Sequence, residues 1–144
     1  MIETTLVLLK PDCLAHRHCG NVISRFEAAG LEIVGCKMML LTDEVLAEHY
    51  AHITDRPFYP EVKSFMQASP VIALAWSGEN AVARVRDLMG PTDSRKAPKG
   101  SIRGDFGRDT MLNVVHGSDS PENAALELKR FFADSDFFEV SGKR

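Results

Sequence analysis

Short apolar runs alternate along the chain with segments whose apolar residues recur every three or four positions. A short apolar run or a period of two predicts a strand, and a period near 3.6 predicts a helix. We therefore expect strands over residues 4–9, 31–41, 71–76 and 111–115. We expect helices over residues 20–29, 43–50, 59–67, 80–89 and 121–132.

Capping residues support several of these boundaries. Pro11 stops the first strand because proline cannot donate to a strand ladder, and Gly30 suits the C-cap of the first helix. Thr42 and Asp43 each offer a side-chain oxygen as N-cap of the second helix, and Ser120 does so for the last helix. Pro121 then occupies the first helical position, where the missing N–H costs nothing.

The order of the elements predicts an α+β fold of the ferredoxin-like type, βαββαβ. We expect a four-stranded antiparallel sheet with helices packed on it, on one face, and residues 43–67 as an insertion between the second and third strands. A length of 144 residues predicts a single domain over residues 1–144. Residues 90–107 are rich in glycine, proline and charge and show no periodicity, and so long a loop is usually functional.

The composition excludes several classes of protein. Hydrophobic residues make up 44% of the chain and charged residues 26%, which excludes collagen-like and disordered chains. The formal net charge is −3, so we do not expect nucleic acid to be the main partner. Between Arg84 and Arg108, however, there are seven lysines and arginines and three acidic residues. This local basic segment fits a small polyanion such as a phosphate, although a solvated loop is the alternative.

The cysteines and the N-terminus bear on the compartment. Cys13, Cys19 and Cys36 form no CxxC pair, and an odd, sparse set is typical of a reducing compartment. Lys10 and Asp12 interrupt the N-terminal apolar run, which is too short for a signal peptide or a membrane span. We therefore expect a cytoplasmic protein without a membrane partner.

Two histidine-containing places lack the spacing of a structural metal site. Residues 16–19, with the sequence HRHC, do not supply four ligands at zinc spacing, and neither do His49 and His52. His49 and His52 lie one turn apart on a predicted helix, and we expect both on the surface. We therefore predict no metal-binding side chains.

The most informative histidine is His116, which we expect at the end of the last strand, before Gly117 and a helix N-cap. An imidazole exposed there is a competent nucleophile or proton carrier near neutral pH. Glu127 lies beside the apolar stripe of the following helix, where a carboxylate needs a partner such as a nearby histidine. The alternative is that His116 caps the helix and Glu127 lies on its solvent-facing rim.

Five motifs together indicate a known family. Each occurs once and in a fixed order: KPD at residues 10–12, DRPFY at 55–59, GPTDS at 90–94, SIRGDF at 101–106 and NVVHGSDS at 113–120. In this order and spacing they resemble the nucleoside diphosphate kinase family, from about residue 5 to residue 132. Cys13, Ser94 and Thr110 depart from the residues common in that family. The early end of the chain after Phe138 resembles bacterial members.

The resemblance implies a reaction and a nucleophile. The chain would transfer the γ-phosphate of a nucleoside triphosphate to a nucleoside diphosphate by a ping-pong mechanism through a phosphohistidine on His116. Glu127 and Ser118 would orient His116, and Tyr50 would help to fix Lys10. Magnesium ions would bridge the nucleotide phosphates without a protein ligand, and the chain would form a homo-oligomer.

The resemblance also implies the substrate contacts and a broad base specificity. Fixed cations suit a phosphoryl-transfer transition state, which spreads charge over the equatorial oxygens, and stacking on an aromatic face tolerates any base. By resemblance, Lys10 and Arg103 would neutralise the transferred phosphoryl group, and Arg86 and Thr92 would hold the β-phosphate. Asn113 and Lys10 would contact the 3′-hydroxyl of the sugar, and Phe58 would stack on the base. Two alternatives are a nucleotide-binding regulator with little catalysis and a phosphohistidine relay that donates to other proteins.

Overall fold

The sheet has four strands in the order β2-β3-β1-β4, and every neighbouring pair is antiparallel. The computed structural model describes residues 1–140. The strands are β1 (Ile2–Leu9), β2 (Glu32–Met39), β3 (Val71–Glu79) and β4 (Val115–Gly117). The prediction of a ferredoxin-like α+β fold is confirmed.

Seven helices connect or follow these strands in the described part of the chain. They are α1 (Pro11–Ala15), α2 (Cys19–Ala28), α3 (Asp43–His49), α4 (Tyr59–Gln67), α5 (Ala81–Met89), α6 (Ile102–Phe106) and α7 (Pro121–Phe131). Thr42 and Ser120 cap α3 and α7 as predicted, each accepting a hydrogen bond from a backbone N–H three residues on. Helices α3 and α4 form the expected insertion between β2 and β3.

Helices cover both faces of the sheet, so the expectation of one covered face is wrong. The cause lies in β1, a central strand whose last five residues before Lys10 are all buried. Successive side chains of a strand point to opposite faces. Val7 packs in a core with Phe26 of α2, whereas Leu8 packs in a second core with Leu46 of α3 and Phe131 of α7.

Two differences from the prediction concern the site. The last strand was expected over residues 111–115, but β4 covers Val115–Gly117, and His116 is its central residue rather than its end. The backbone N–H groups of Met111 and Leu112 donate to Asp109 Oδ1 instead of a strand. An apolar run alone does not separate a strand from a buried turn, which explains the shift.

The segment from residue 90 to residue 107 is not a structureless loop. It contains a 3₁₀ turn, Ser94–Lys96, capped by Asp93, and helix α6, capped by Ser101. Elements of three to five residues are too short to show a period, so the pattern could not predict them. Among residues 1–140, no helix is long and apolar enough to cross a membrane.

Candidate active site

A cavity of about 720 Å³ opens where β1 ends beside β4. A second cavity of about 580 Å³ adjoins it and shares Lys10, Tyr50 and Thr110 in its lining. The first is lined by His116, Glu127, Lys10, Tyr50, Arg86, Thr92, Arg103 and Asn113, and the second contains Phe58. Ser118 contacts Glu127 from behind. The structure thus brings together every residue that the resemblance implied.

Glu127 holds the ring of His116 by one nitrogen. His116 Nε2 lies 2.8 Å from Glu127 Oε1, and Ser118 Oγ donates to the same oxygen at 2.8 Å. A neutral imidazole that donates through Nε2 has its lone pair on Nδ1. Within residues 1–140, Nδ1 has no hydrogen-bond partner, so the free nitrogen is available for attack on a ligand.

Glu127 is held as a carboxylate. Burial raises the pKa of Glu127, but the hydrogen bonds from His116 and Ser118 outweigh burial and leave this pKa below its usual value. The carboxylate charge therefore lies 2.8 Å behind the ring nitrogen that would carry positive charge. A carboxylate in this place fixes the tautomer and compensates developing charge, as in other histidine-dependent sites.

Lys10 is a buried cation with two acceptors. Its side chain leaves β1 where Pro11 stops the strand, and Nζ donates to Asn113 Oδ1 and to the Met111 carbonyl oxygen, both at 2.6 Å. The residue is only 7% exposed. Burial lowers the pKa of Lys10 to about 8, against the opposing effect of the Asp12 carboxylate. Its charge is thus already partly desolvated before any anion binds.

Arg103 of α6 is a second buried cation. Its Nε, Nη1 and Nη2 atoms donate to three carbonyl oxygens, those of Asn113, Gly90 and Val115. Burial, together with the smaller effect of the nearby Arg86 guanidinium, lowers the pKa of Arg103 to about 10. The backbone just before His116 and at Gly90 thus fixes this guanidinium, which suits it for a contact with phosphate oxygens.

Asn113 connects the buried cation to the loop. Its Oδ1 accepts from Lys10, while its Nδ2 donates to the carbonyl oxygens of Thr92 and Thr110. Arg86 and Thr92 themselves are exposed at the rim, and Phe58 is 51% exposed. The rim therefore presents a cation, a hydroxyl and an aromatic face to solvent.

The role implied for Tyr50, which is to help fix Lys10, stays a prediction. Within the described residues no hydrogen bond joins the two side chains, although both line the two cavities. Burial, with smaller effects of Tyr59 and Glu127, raises the pKa of Tyr50 to about 12, so its phenol stays protonated.

His49 is a site residue that the sequence analysis missed, and its expected place on the surface is wrong. It is 8% exposed, and its ring meets the ring of His116 edge-on, with centroids 4.5 Å apart. Its spacing from Leu46 on one face of α3 is the signal that could have found it. His52, by contrast, is exposed.

The backbone before His116 is strained at Val114, which has φ of +73°. The Val115 N–H donates to the Asn113 carbonyl at 2.8 Å and closes a three-residue turn around Val114. The N–H of Val114 is held by Asp12 Oδ2 at 3.0 Å, and its carbonyl by the Lys10 N–H at 2.9 Å. A β-branched residue rarely adopts this region, and such strain clusters at functional sites.

Comparison with known proteins agrees with the geometry. The family model described as nucleoside diphosphate kinase matches residues 3–137. A nucleoside diphosphate kinase of Parabacteroides distasonis is 47% identical over 142 residues, which cover 99% of this chain and 93% of that protein. That of Natronomonas pharaonis is 46% identical over 135 residues, covering 93% of this chain and 88% of that protein.

Solved structures give the same result. The nucleoside diphosphate kinase of Halobacterium salinarum, solved in complex with CDP, is 38% identical with a TM-score of 0.94, covering 99% of this chain and 95% of that one. The Aquifex aeolicus nucleoside diphosphate kinase is 39% identical with a TM-score of 0.90, covering 96% of this chain and 100% of that one. The chain belongs to the nucleoside diphosphate kinase family.

Proposed function

We propose that this chain transfers the γ-phosphate of a nucleoside triphosphate to a nucleoside diphosphate through a phosphohistidine on His116. The observation that carries the proposal is the difference between the two ring nitrogens of His116. Nε2 is held by Glu127, whereas Nδ1 has no hydrogen-bond partner within residues 1–140. Two buried cations, Lys10 and Arg103, line the same cavity. Family membership and the relative solved in complex with CDP support nucleotides as the substrates.

In the first half-reaction, the Nδ1 lone pair of His116 attacks the γ-phosphorus. The bond from phosphorus to the β,γ-bridging oxygen breaks, and its electron pair leaves with the nucleoside diphosphate. The imidazole gains positive charge as the N–P bond forms, and the Glu127 carboxylate at Nε2 compensates that charge. In the second half-reaction, a β-phosphate oxygen of another nucleoside diphosphate attacks the same phosphorus and returns the electron pair to Nδ1.

The cations perform most of the electrostatic work. Lys10 and Arg103 neutralise the equatorial oxygens of the transferred group, because charge is spread over these oxygens in a loose transition state. Arg86 and Thr92 at the rim hold the β-phosphate, while Asn113 and Lys10 contact the 3′-hydroxyl. Lys10 and Arg103 are fixed by hydrogen bonds before substrate binds, so little reorganisation is required.

The proposed base contact explains a broad specificity. Phe58 lines the adjoining cavity with half of its surface exposed. Every nucleobase has a face that stacks on an aromatic ring, so we expect all common nucleotides to serve as donor and acceptor. A site that hydrogen-bonds the 3′-hydroxyl should, however, discriminate against 3′-deoxy analogues.

Magnesium fits this site as an ion carried by the nucleotide. Among residues 1–140, the group of side chains that could hold a metal is His49, His116 and Glu127, a set rich in nitrogen. Mg²⁺ prefers oxygen ligands and is often bound through substrate phosphates rather than by an all-protein cage. When bound to the phosphates, Mg²⁺ would neutralise charge on them, while Lys10 and Arg103 supply the protein's share.

We further infer one domain over residues 1–144, a homo-oligomer and a cytoplasmic location. One sheet receives strands from both ends of the described chain, which supports a single domain. The edge strand β2 carries Met38, which is 64% exposed, and Leu40 just beyond it is also 64% exposed, as expected of a strand that pairs with another copy. Cys13, Cys19 and Cys36 are free thiols, which is consistent with a reducing compartment.

Labelling without an acceptor tests the proposal. The purified protein is incubated with [γ-³²P]ATP and Mg²⁺, and the stability of the protein-bound label is measured in acid and in base. We expect stoichiometric label that is labile in acid and stable in base, and complete discharge when any nucleoside diphosphate is added. An acid-stable label would exclude the phosphohistidine, and a label that nucleoside diphosphates do not remove would indicate a relay or regulatory protein instead.

A further inference from the structure

Glu127 has a potential competitor for its charge on its own helix. Arg130 follows three residues later on α7, and oppositely charged side chains at this spacing pair readily on a helix surface. An arginine–carboxylate pair is also among the stronger hydrogen-bonded pairs in proteins. A Glu127–Arg130 pair would neutralise the carboxylate that His116 requires, so the structure must direct Arg130 elsewhere.

Arg130 is in fact turned toward α3. Its Nη1 lies 2.9 Å from His49 Nδ1, and its Nε lies 3.2 Å from Glu48 Oε1. Within the described residues no ion pair joins Arg130 to Glu127, whose Oε1 accepts from His116 and Ser118. Of these two contacts, the one with His49 is a hydrogen bond and the one with Glu48 is an ion pair without hydrogen-bond geometry. The guanidinium itself is mostly buried.

The contact with Arg130 also fixes the state of His49. A guanidinium has donors and no acceptor, so Nδ1 of His49 must accept the hydrogen bond, and the proton of the neutral ring lies on Nε2. Burial, together with the neighbouring His116, lowers the pKa of His49 to about 3. His49 is therefore a neutral acceptor between the Arg130 cation and the His116–Glu127 pair.

The surroundings of His49 come from three parts of the chain. The ring of His49 contacts His116 of β4 and Phe131 of α7 edge-on, with centroids 4.5 and 5.3 Å apart. The titratable and charged groups around it are His116 of β4, Glu127 and Arg130 of α7, Glu48 beside it on α3, and Tyr50 and His52 just after α3. Arg130 is the permanent cation of this set.

We propose that His49 is a positioning residue that holds Arg130 away from Glu127, so that the carboxylate charge remains with the nucleophile His116. The inference rests on the proposed phosphohistidine mechanism and adds a residue that acts through Arg130 rather than on the substrate. Removal of His49 leaves Arg130 Nη1 without its acceptor, while Nε keeps its ion pair with Glu48. The freed Nη1 then pairs with Glu127 three residues earlier. Removal of both residues abolishes the competition.

Four variants test this role: His49→Leu, His49→Gln, Arg130→Met and the double variant His49→Leu/Arg130→Met. The readout is the single-turnover rate of acid-labile labelling from [γ-³²P]ATP. We expect His49→Leu to be slower by roughly 10- to 100-fold and the double variant to recover to within about threefold of Arg130→Met. His49→Gln should stay within about threefold of the wild type, because its Oε1 can accept from Arg130.

The double variant separates positioning from simple packing. If the imidazole only fills space beside His116, the loss caused by leucine will be the same with or without Arg130, and no recovery at all will overturn the proposal. As a matched control, Lys129→Met removes the exposed cation next to Arg130 and should not rescue His49→Leu. Should the leucine variants fail to fold, His49→Met and its double variant are compared in the same way.

The outcomes also distinguish this inference from the proposed function. A wild-type protein that takes no acid-labile label refutes both. A wild-type protein that is labelled on His116, together with a double variant as slow as His49→Leu, refutes only the positioning role. A crystal structure of His49→Leu gives a direct check: we expect Arg130 within 4 Å of Glu127, the usual limit for an ion pair.

Discussion

The inner wall and the outer rim of the active-site cavity are built differently. At the inner wall, Glu127 accepts from His116 and Ser118, and each contact is 2.8 Å long. At the rim, Arg86 and Thr92 are exposed, and Arg86 forms no ion pair within the described residues. The proposed nucleophile is thus oriented before substrate arrives, whereas the rim groups still await a ligand.

Lys10 and Arg103 lie between these extremes. Both are less than 10% exposed and are held by carbonyl or amide oxygens rather than by carboxylates. Burial lowers the pKa of each, to about 8 for Lys10 and about 10 for Arg103. A buried cation that no carboxylate contacts directly is costly, and a bound phosphate would provide a direct counter-ion. The comparison indicates that these two cations are fixed for an anionic ligand.

Removal of His116, the proposed nucleophile, should cause the largest loss of activity. His116→Ala should abolish labelling and lower kcat by about 10⁴-fold or more, because no other group is placed to form the N–P bond. Nucleotide affinity should change little, since Lys10, Arg103 and the rim remain. Labelling, turnover and equilibrium binding are measured together, with the exposed His16→Ala as control. Retained turnover would exclude His116 as the nucleophile.

Removal of the Lys10 cation should cause the next largest loss of activity. Lys10→Gln should lower kcat/KM by about 10²- to 10³-fold, because the transferred phosphoryl group loses its point charge. Steady-state kinetics with ATP and a nucleoside diphosphate measure the loss. Lys99→Gln removes an exposed cation of the same basic segment and should leave the rate near that of the wild type. A loss confined to KM would show that Lys10 binds substrate without favouring the transition state.

The lowered pKa of Lys10 predicts opposite effects of rising pH on activity and on stability. Its pKa of about 8 in the free protein predicts that kcat/KM falls as the pH rises above 8, because the cation is lost. The unfolded chain holds this proton until about pH 10.5, so the Lys10 contribution to stability rises between pH 8 and 10.5. Lys10→Arg remains protonated and should abolish the alkaline fall. A fall that persists in this variant would have another origin.

A smaller loss of rate is expected for Glu127, whose proposed role at the inner wall is to orient His116. Glu127→Gln should lower the rate of phosphohistidine formation by about 10- to 10³-fold, because glutamine keeps an acceptor but loses the charge. Single-turnover labelling measures this rate. Glu122→Gln, an exposed acid at the start of the same helix, is the matched control. A wild-type rate for Glu127→Gln would show that the 2.8 Å contact is structural only.

The helices, strands and helix caps could be predicted from the sequence because they depend on local patterns. Helix α4 matches its predicted range, Tyr59–Gln67, and the caps at Thr42 and Ser120 are confirmed. These features rest on periodicity and on a side chain a few residues from the group that it caps. The order of the strands and helices along the chain followed from the same patterns.

The features that no local pattern predicts depend on contacts between distant parts of the chain. The choice of Nε2 for Glu127 depends on how α7 lies against β4, and the burial of His49 depends on α7 covering α3. The turn at Val114 is held by Asp12, 102 positions away in the sequence. No local pattern predicts contacts between residues so far apart in the sequence. The sequence could therefore indicate which residues form the site, but not how their side chains are oriented.

Substitution of Phe58 at the rim should have the smallest effect on the kinetics. Phe58 is half exposed and lies in the cavity next to that of His116, where its proposed role is to stack on the base. Stacking contributes about 1–3 kcal/mol per base when tested by alanine substitution, and leucine retains part of the apolar contact. Phe58→Leu should therefore raise KM for every nucleotide about three- to tenfold and change kcat little. Phe138→Leu, an exposed phenylalanine outside both cavities, is the control. An increase for one base alone would replace stacking by a base-specific contact, and an unchanged KM would place Phe58 outside the substrate site.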